Sequence, residues 1–306
     1  MTTILRVAHS MGMDEMLALS TGEHTAATIL GNTDQMLPER GLSCRQVSAA
    51  RLPNAARTLG RLHFHQEIRI SDDAQVAHSV LTDGRVRGAI KSYLIRATDG
   101  SEIDACLKDL DLDLFDRLLV TSTITENYLR RRHSPPIPVE LVRFVAGSPQ
   151  APLPRGPISG LTWIGSAHPS EGLQDFLRIV SLTDLPAQIL WAAPPAPEQF
   201  TSVVAAMSLL GIAGRVRFGW PGPFHSFLSA TQSAMDNTLW VYTARSYAPR
   251  SAIELILHLG GRVVSFDSLY AMELADQFPD HITLTPEGSA PDAAAAIRAL
   301  AEEEVQ

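Results

Sequence analysis

The sequence predicts an α/β protein of two doubly wound domains. Three observations carry that expectation. The chain has 306 residues, room for two domains of ordinary size. Residues 145–157, VAGSPQAPLPRGP, hold four prolines and two glycines near the middle of the chain, a composition that favours a linker over a regular element. Beyond it, short apolar runs alternate with segments of helical periodicity, and strands alternating with helices imply crossover units and a parallel sheet covered on both faces. The predicted domains are 1–148 and 158–306.

In the first half, TILRVA and TAATILGN read as strands and RLHFHQEIRI, 61–70, as a longer one. VRGAIKSYLIRAT and SEIDACLKDL have the look of helices. DLFDRLLVTS, 113–122, reads as a strand feeding the helix TITENYLRRR, and IPVELVRFVAG supplies the next strand. The α/β pattern is least complete at the start of the chain.

The second half alternates more cleanly. GLTWIGSA, AQILWAAP, RVRFGW, TLWVYTA, RVVSFD and HITLTPE are six predicted strands. Between and after them, EGLQDFLRIVSLT, PEQFTSVVAAMSLLGI, FHSFLSATQSA, RSAIELILHLGG, SLYAMELADQFP and PDAAAAIRALAEEE carry helical spacing, two of them closed by glycine.

Composition narrows the function. Hydrophobic residues make up 45% and charged residues 19%, a globular balance. A net charge of −8 argues against nucleic acid as partner. Only Lys91 and Lys108 are lysines among 25 basic residues, and with the abundant alanine this bias points to a GC-rich bacterial genome. Cys44 and Cys106 make neither a disulfide framework nor a metal site, and a reducing cytoplasm is the expected compartment. The start MTTILRVAHSMGMDEM lacks the basic and apolar regions of a signal peptide, and no apolar run reaches the roughly 18 residues that span a bilayer. The run YLRRRH, 128–133, keeps peripheral membrane contact open, although such runs are more often solvated helix ends. Without a G-x-G-x-x-G, a phosphate loop or a G-x-S-x-G elbow, dehydrogenase, nucleotidase and hydrolase readings are weak and no cofactor is expected.

The order of features resembles the retaining glycosyltransferases of the GT-B fold. The segments that carry the resemblance are WIGSAHPSEGLQDFL, RVRFGWPGPFHSFLSA, SYAPRSAIELILHLGGRVVSFD and YAMELA, together with DLFDRLLVTSTITENYL in the first half. The resemblance implies two Rossmann-like domains facing a cleft, with a reduced N-terminal domain on the acceptor side and the nucleotide-sugar donor in the C-terminal domain. It implies transfer of a sugar from a UDP- or GDP-sugar to an acceptor hydroxyl on a glycan, a lipid-linked molecule or a protein, in bacterial glycan or glycoconjugate synthesis. The family's two glutamates, eight positions apart, fall here on Ser246 and Glu254. Its phosphate-binding arginine and lysine fall on Ser166 and Glu171. These departures keep a second reading open, a degenerate relative that binds a nucleotide or a partner protein without turnover.

Each candidate residue also has a plainer reading. Glu254 would accept hydrogen bonds from ribose, or simply favour a helix start through the dipole. The amides of Arg250, Ser251 and Ala252 suit a diphosphate at a helix N-terminus. Arg245 and Arg250 would supply positive charge, or be solvated. Gly165 lets backbone approach a phosphate, or turns the chain. Gly219 and Trp220 end a strand at the edge where open α/β sheets bind ligands, and Trp220 would stack on a base or pack in the core. With Ser166 and Ser246 these complete the expected donor site. His63 and His65 share one strand face. The resemblance makes His65 the candidate catalytic residue, in contact with the transferred sugar, while a pair of strand histidines is the plainer reading. No third ligand accompanies them, so no metal is expected, and Asp72-Asp73 reads as a turn or helix cap.

Overall fold

The computed structural model describes residues 2–7, 25–31, 42–71, 74–86, 88–95, 100–142, 157–165, 169–191, 195–219, 237–244 and 251–303. The chain divides into two compact units, Met1–Ala146 and Gly147–Gln306.

The first unit is built on a seven-stranded parallel sheet. Its strands are β1 (Thr2–Val7), β2 (Thr25–Gly31), β3 (Leu42–Gln46), β4 (His65–Ser71), β5 (Gly88–Ile95), β6 (Arg117–Val120) and β7 (Val139–Leu141). They lie in the order β3-β2-β1-β4-β5-β6-β7, so the direction of winding reverses between β1 and β4. The helices are α1 (Leu52–Leu62), α2 (Ala74–Leu81), α3 (Gly100–Lys108) and α4 (Thr123–Tyr128). Ser122 caps α4 by accepting the Thr125 amide at 2.9 Å.

Two expectations are corrected here. Arg61 and Leu62 belong to the last turn of α1, because Leu52, Ala56 and Leu59 form a helical stripe into the core, and the strand begins only at His65. Residues 88–95 form a strand rather than a helix. Tyr93, Leu94 and Ile95 are buried in succession, as a central parallel strand requires with both faces covered, and so short an apolar run fits either element by periodicity alone.

Across this sheet, Arg69 stands opposite Ser92, and Ser92 opposite Arg117. Glu67, on the same face, accepts from Arg69 Nε at 3.0 Å and Nη2 at 3.2 Å, and Arg117 Nη2 lies 3.3 Å from its Oε2. Arg117 also donates to Ser92 Oγ at 2.9 Å and to Glu140 at 2.6 Å. Burial alone would raise the Glu67 pKa, but the Arg69 hydrogen bond and charge, with Ser92 and Arg117, bring it below the ordinary value. A lowered carboxyl pKa contributes stability that is present above the unfolded value near ~4.3 and is lost as pH falls through the folded value. Glu67→Gln is expected to cost roughly 1.5 kcal/mol at pH 7 and progressively less as the medium is acidified below that range. Urea titrations at pH 7 and at a pH below about 4 would show it, and an equal loss at both would contradict the ion-pair account.

The basic run ends α4 in a π-type turn, Leu129–His133. Arg130 pairs with Glu126 at 2.8 Å, while Arg132 and His133 reach Asp104 at 3.5 and 2.7 Å. The His133 hydrogen bond, then that of Tyr128, holds the Asp104 carboxyl below its ordinary value. Arg130 and Arg132 thus face acids of the chain itself. Among the described residues, no helix is long and apolar enough to cross a membrane.

The second unit repeats the plan. Its parallel strands are β8 (Gly160–Gly165), β9 (Ala187–Trp191), β10 (Val216–Gly219), β11 (Thr238–Tyr242), β12 (Arg262–Phe266) and β13 (Ile282–Thr285). The order β10-β9-β8-β11-β12-β13 reverses between β8 and β11. The helices are α5 (Leu173–Ser181), α6 (Pro197–Leu209), α7 (Ser251–His258), α8 (Leu269–Gln277) and α9 (Ala290–Glu303). The helix expected over 224–234 lies outside the described residues. Trp163, Phe176, Trp191, Val241, Phe266 and Ile297 share one core cluster, so helices on both sides of the reversal seal it.

Candidate functional site

In a parallel sheet all carboxyl ends share one edge, and a reversal of strand order opens a crevice there. In the second unit that place lies between β8 and β11. Gly165 ends β8, and Thr243 follows β11. One buried hydroxyl ties the two sides together. Trp163 Nε1 donates to Thr243 Oγ1 at 3.1 Å, and Thr243 Oγ1 donates to the Gly172 carbonyl at 2.9 Å, with the Glu171 carbonyl at 3.3 Å. Gly172 needs to be glycine. Its φ is +72°, and a Cβ would collide with the Thr243 carbonyl oxygen.

Gly165 has its side-chain space filled by the chain itself. A Cβ there would collide with Glu171 Oε2 and stand 2.6 Å from the Trp163 ring. Glu171 is 6% exposed, and Asp175, in the first turn of α5, is 3% exposed. Arg178 Nη1 is 3.7 Å from Asp175.

Beyond β11, α7 opens at Ser251 with Glu254 in its first turn. Glu254 is buried, and Tyr270 Oη of α8 donates to its Oε1 at 2.6 Å. Ser268 caps α8, and Tyr242, the last residue of β11, lies edge-on to Tyr270 with ring centroids 6.3 Å apart. The carboxylate is thus oriented from the next crossover of the same sheet. Among the described residues, no group of three or more His, Cys, Asp or Glu could hold a metal.

Of the residues expected from the sequence, Gly165, Ser251 and Glu254 lie at this edge. Gly219 ends β10, separated from β8 by β9, and a Cβ there would meet Leu190 at 2.5 Å and Gln188 at 2.9 Å, so packing against β9 accounts for the glycine. Ser166, Trp220, Arg245, Ser246 and Arg250 lie outside the described residues, as do Asp72 and Asp73. His65 is the first residue of β4, at the amino end of a seven-residue strand. About 20 Å of strand separates it from the carboxyl edge, at ~3.3 Å per residue. Burial, then the neighbouring His63, lowers its pKa, against a weaker opposing contribution from the Leu59 backbone. The direction of β4 thus places His65 at the amino edge of the first sheet.

The sequence reading missed Thr243 and Tyr270, and in the first unit Arg6. That arginine is fully buried at the β1–β4 reversal, donating to Ser71 Oγ at 2.7 Å and to the Val7 carbonyl at 2.8 Å. Only their positions at or after predicted strands could have marked them.

No protein-family model and no curated protein sequence matches the chain. Solved structures do. An Anabaena protein, HepE, determined in complex with UDP and glucose, matches with a TM-score of 0.74 at 11% identity over 99% of this chain and 90% of that one. A sucrose-phosphate synthase from Thermosynechococcus elongatus matches at 0.64 and 13% identity, over 100% and 91%. The lipopolysaccharide outer core galactosyltransferase WaaB matches at 0.62 and 12% identity, over 100% and 92%. These glycosyltransferases and this chain share two parallel, doubly wound α/β units in series over nearly their whole lengths: the chain has the GT-B fold.

Proposed function

We propose that the chain is a glycosyltransferase that takes a UDP- or GDP-sugar and passes the sugar to an acceptor hydroxyl of a glycan, a lipid-linked molecule or a protein. In this reading residues 158–306 hold the donor and residues 1–148 face the acceptor. The observation that carries it is the buried carboxylate of Glu254, held by Tyr270 in the first turn of α7 at the carboxyl edge. A fixed anionic acceptor of this kind suits the two hydroxyls of a ribose. The first amides of α7, with Arg245 and Arg250 shortly before it in the sequence, would stabilise the charge that develops on the leaving diphosphate. The neighbours solved with UDP and glucose, and with UDP and GlcNAc in the case of a pneumococcal O-GlcNAc transferase, support the same ligand class.

One observation favours the second reading, a protein that binds a nucleotide or a partner without turnover: Glu171 brings a carboxylate to Gly165, where a phosphate would otherwise approach. A panel of UDP- and GDP-sugars separates the two. Release of the nucleoside diphosphate from one donor, accelerated by an acceptor glycan, is the expected result. Binding with no release from any donor would leave the second reading, and no binding at all would remove both.

A further inference from the structure

The crevice between β8 and β11 already contains an anion that belongs to the chain. Glu171 Oε2 occupies the space beside Gly165 that even a methyl group could not enter. This is a built arrangement rather than a chance surface rotamer. The Gly172 and Glu171 carbonyls converge on the Thr243 hydroxyl, which in turn accepts from Trp163 Nε1. Gly172 at φ +72° admits no side chain against the Thr243 backbone, so the segment that carries Glu171 is pressed against the end of β11. Glu171 as a residue is 6% exposed, so water screens its charge poorly. Asp175, buried in the first turn of α5, puts a second acid at the same helix start.

We propose that Glu171 is a specificity-determining residue of the nucleotide site, one that opposes the diphosphate and leaves the nucleoside end untouched. This rests on the reading of that edge as a nucleotide site. Glu254 and Tyr270 lie across β11 from Gly165, so the two ends of the ligand meet different groups: ribose meets a fixed acceptor, and phosphate meets a fixed repulsion. The chain then holds a free nucleoside diphosphate weakly and lets it go early, which matters in a reaction where product release limits turnover.

The test is a set of titrations of the full chain, followed by ligand-observed magnetic resonance, with UDP, GDP, uridine and guanosine. The proteins are wild type, Glu171→Gln, which keeps the shape and removes the charge, and Glu171→Asp, which keeps the charge. Glu171→Gln is expected to bind one of the diphosphates at least about tenfold more tightly, with the affinity for its nucleoside unchanged, and Glu171→Asp to gain little. Unchanged or weaker diphosphate binding in Glu171→Gln, with the nucleoside still bound, overturns the proposal alone. So does an equal change for diphosphate and nucleoside, or an equal gain in Glu171→Asp, since either would mean that the charge is not what discriminates. If neither nucleosides nor diphosphates bind any of the three proteins, the nucleotide reading falls and this inference falls with it.

Discussion

Glu254→Ala is expected to weaken binding of uridine or guanosine diphosphate about tenfold or more, and to lower the melting temperature as well. The two effects have different causes. A charge-assisted hydrogen bond to ribose is worth roughly 1.5–3 kcal/mol, which is about ten- to 150-fold in affinity. The stability loss comes from Tyr270, whose hydroxyl is buried and would lose its carboxylate acceptor. A buried donor deprived of its acceptor costs roughly 1–3 kcal/mol. Glu254→Gln separates the contributions, because the amide oxygen still accepts from Tyr270 while the charge is gone. It should melt close to wild type and yet bind more weakly. Calorimetric titration alongside melting curves reads both quantities. If Glu254→Ala binds as well as wild type and only melts earlier, Glu254 is an ordinary helix-start acid held by a tyrosine.

Gly172→Ala should cost roughly 3 kcal/mol or more, a loss of about 10 °C in a unit of this size. Two penalties coincide there. The backbone stands at φ +72°, which a side chain disfavours, and the added methyl meets a backbone carbonyl rather than the end of a flexible side chain. That carbonyl is Thr243 O, at the end of β11, so relief requires moving the strand or breaking the Thr243 hydroxyl bridge to Gly172. Gly165→Ala is the informative comparison, since its methyl meets the Glu171 carboxylate and the Trp163 ring. A melting temperature for Gly172→Ala within about 2 °C of wild type would mean that the loop gives way easily and that Glu171 is not held in place.

The second unit was legible because each strand is a short apolar run cut off by a turn, followed by a helical period; RVVSF and TLWVY stand within a residue or two of their predicted bounds. In the first unit the same logic failed at β5. The run that ends in SYLI is buried on both faces, so the alternation that marks a strand is absent. Glu254 could be found from its place at a helix start. Its partner Tyr270 could not, being 16 residues onward in another helix. Nor could the pairing of Glu171 with Gly165, which exists only because the chain folds back over the end of β8. For His63 and His65, a spacing of two suggested one shared strand face, but the strand begins only at His65 and His63 caps the end of α1.

The polar row across the first sheet has a consequence for how that sheet assembles. Ile68, Ile70, Tyr93, Ile95, Leu118 and Val120 line its core face, while Glu67, Arg69, Ser92 and Arg117 alternate with them. Strands β4, β5 and β6 are joined by crossovers, so no tight turn sets their alignment. A slip of one residue would drive a guanidinium into the apolar layer and break the row. The charges thus act as an alignment key that tells correct pairings from near misses while the unit folds, a property that a wholly aliphatic row of equal stability would lack.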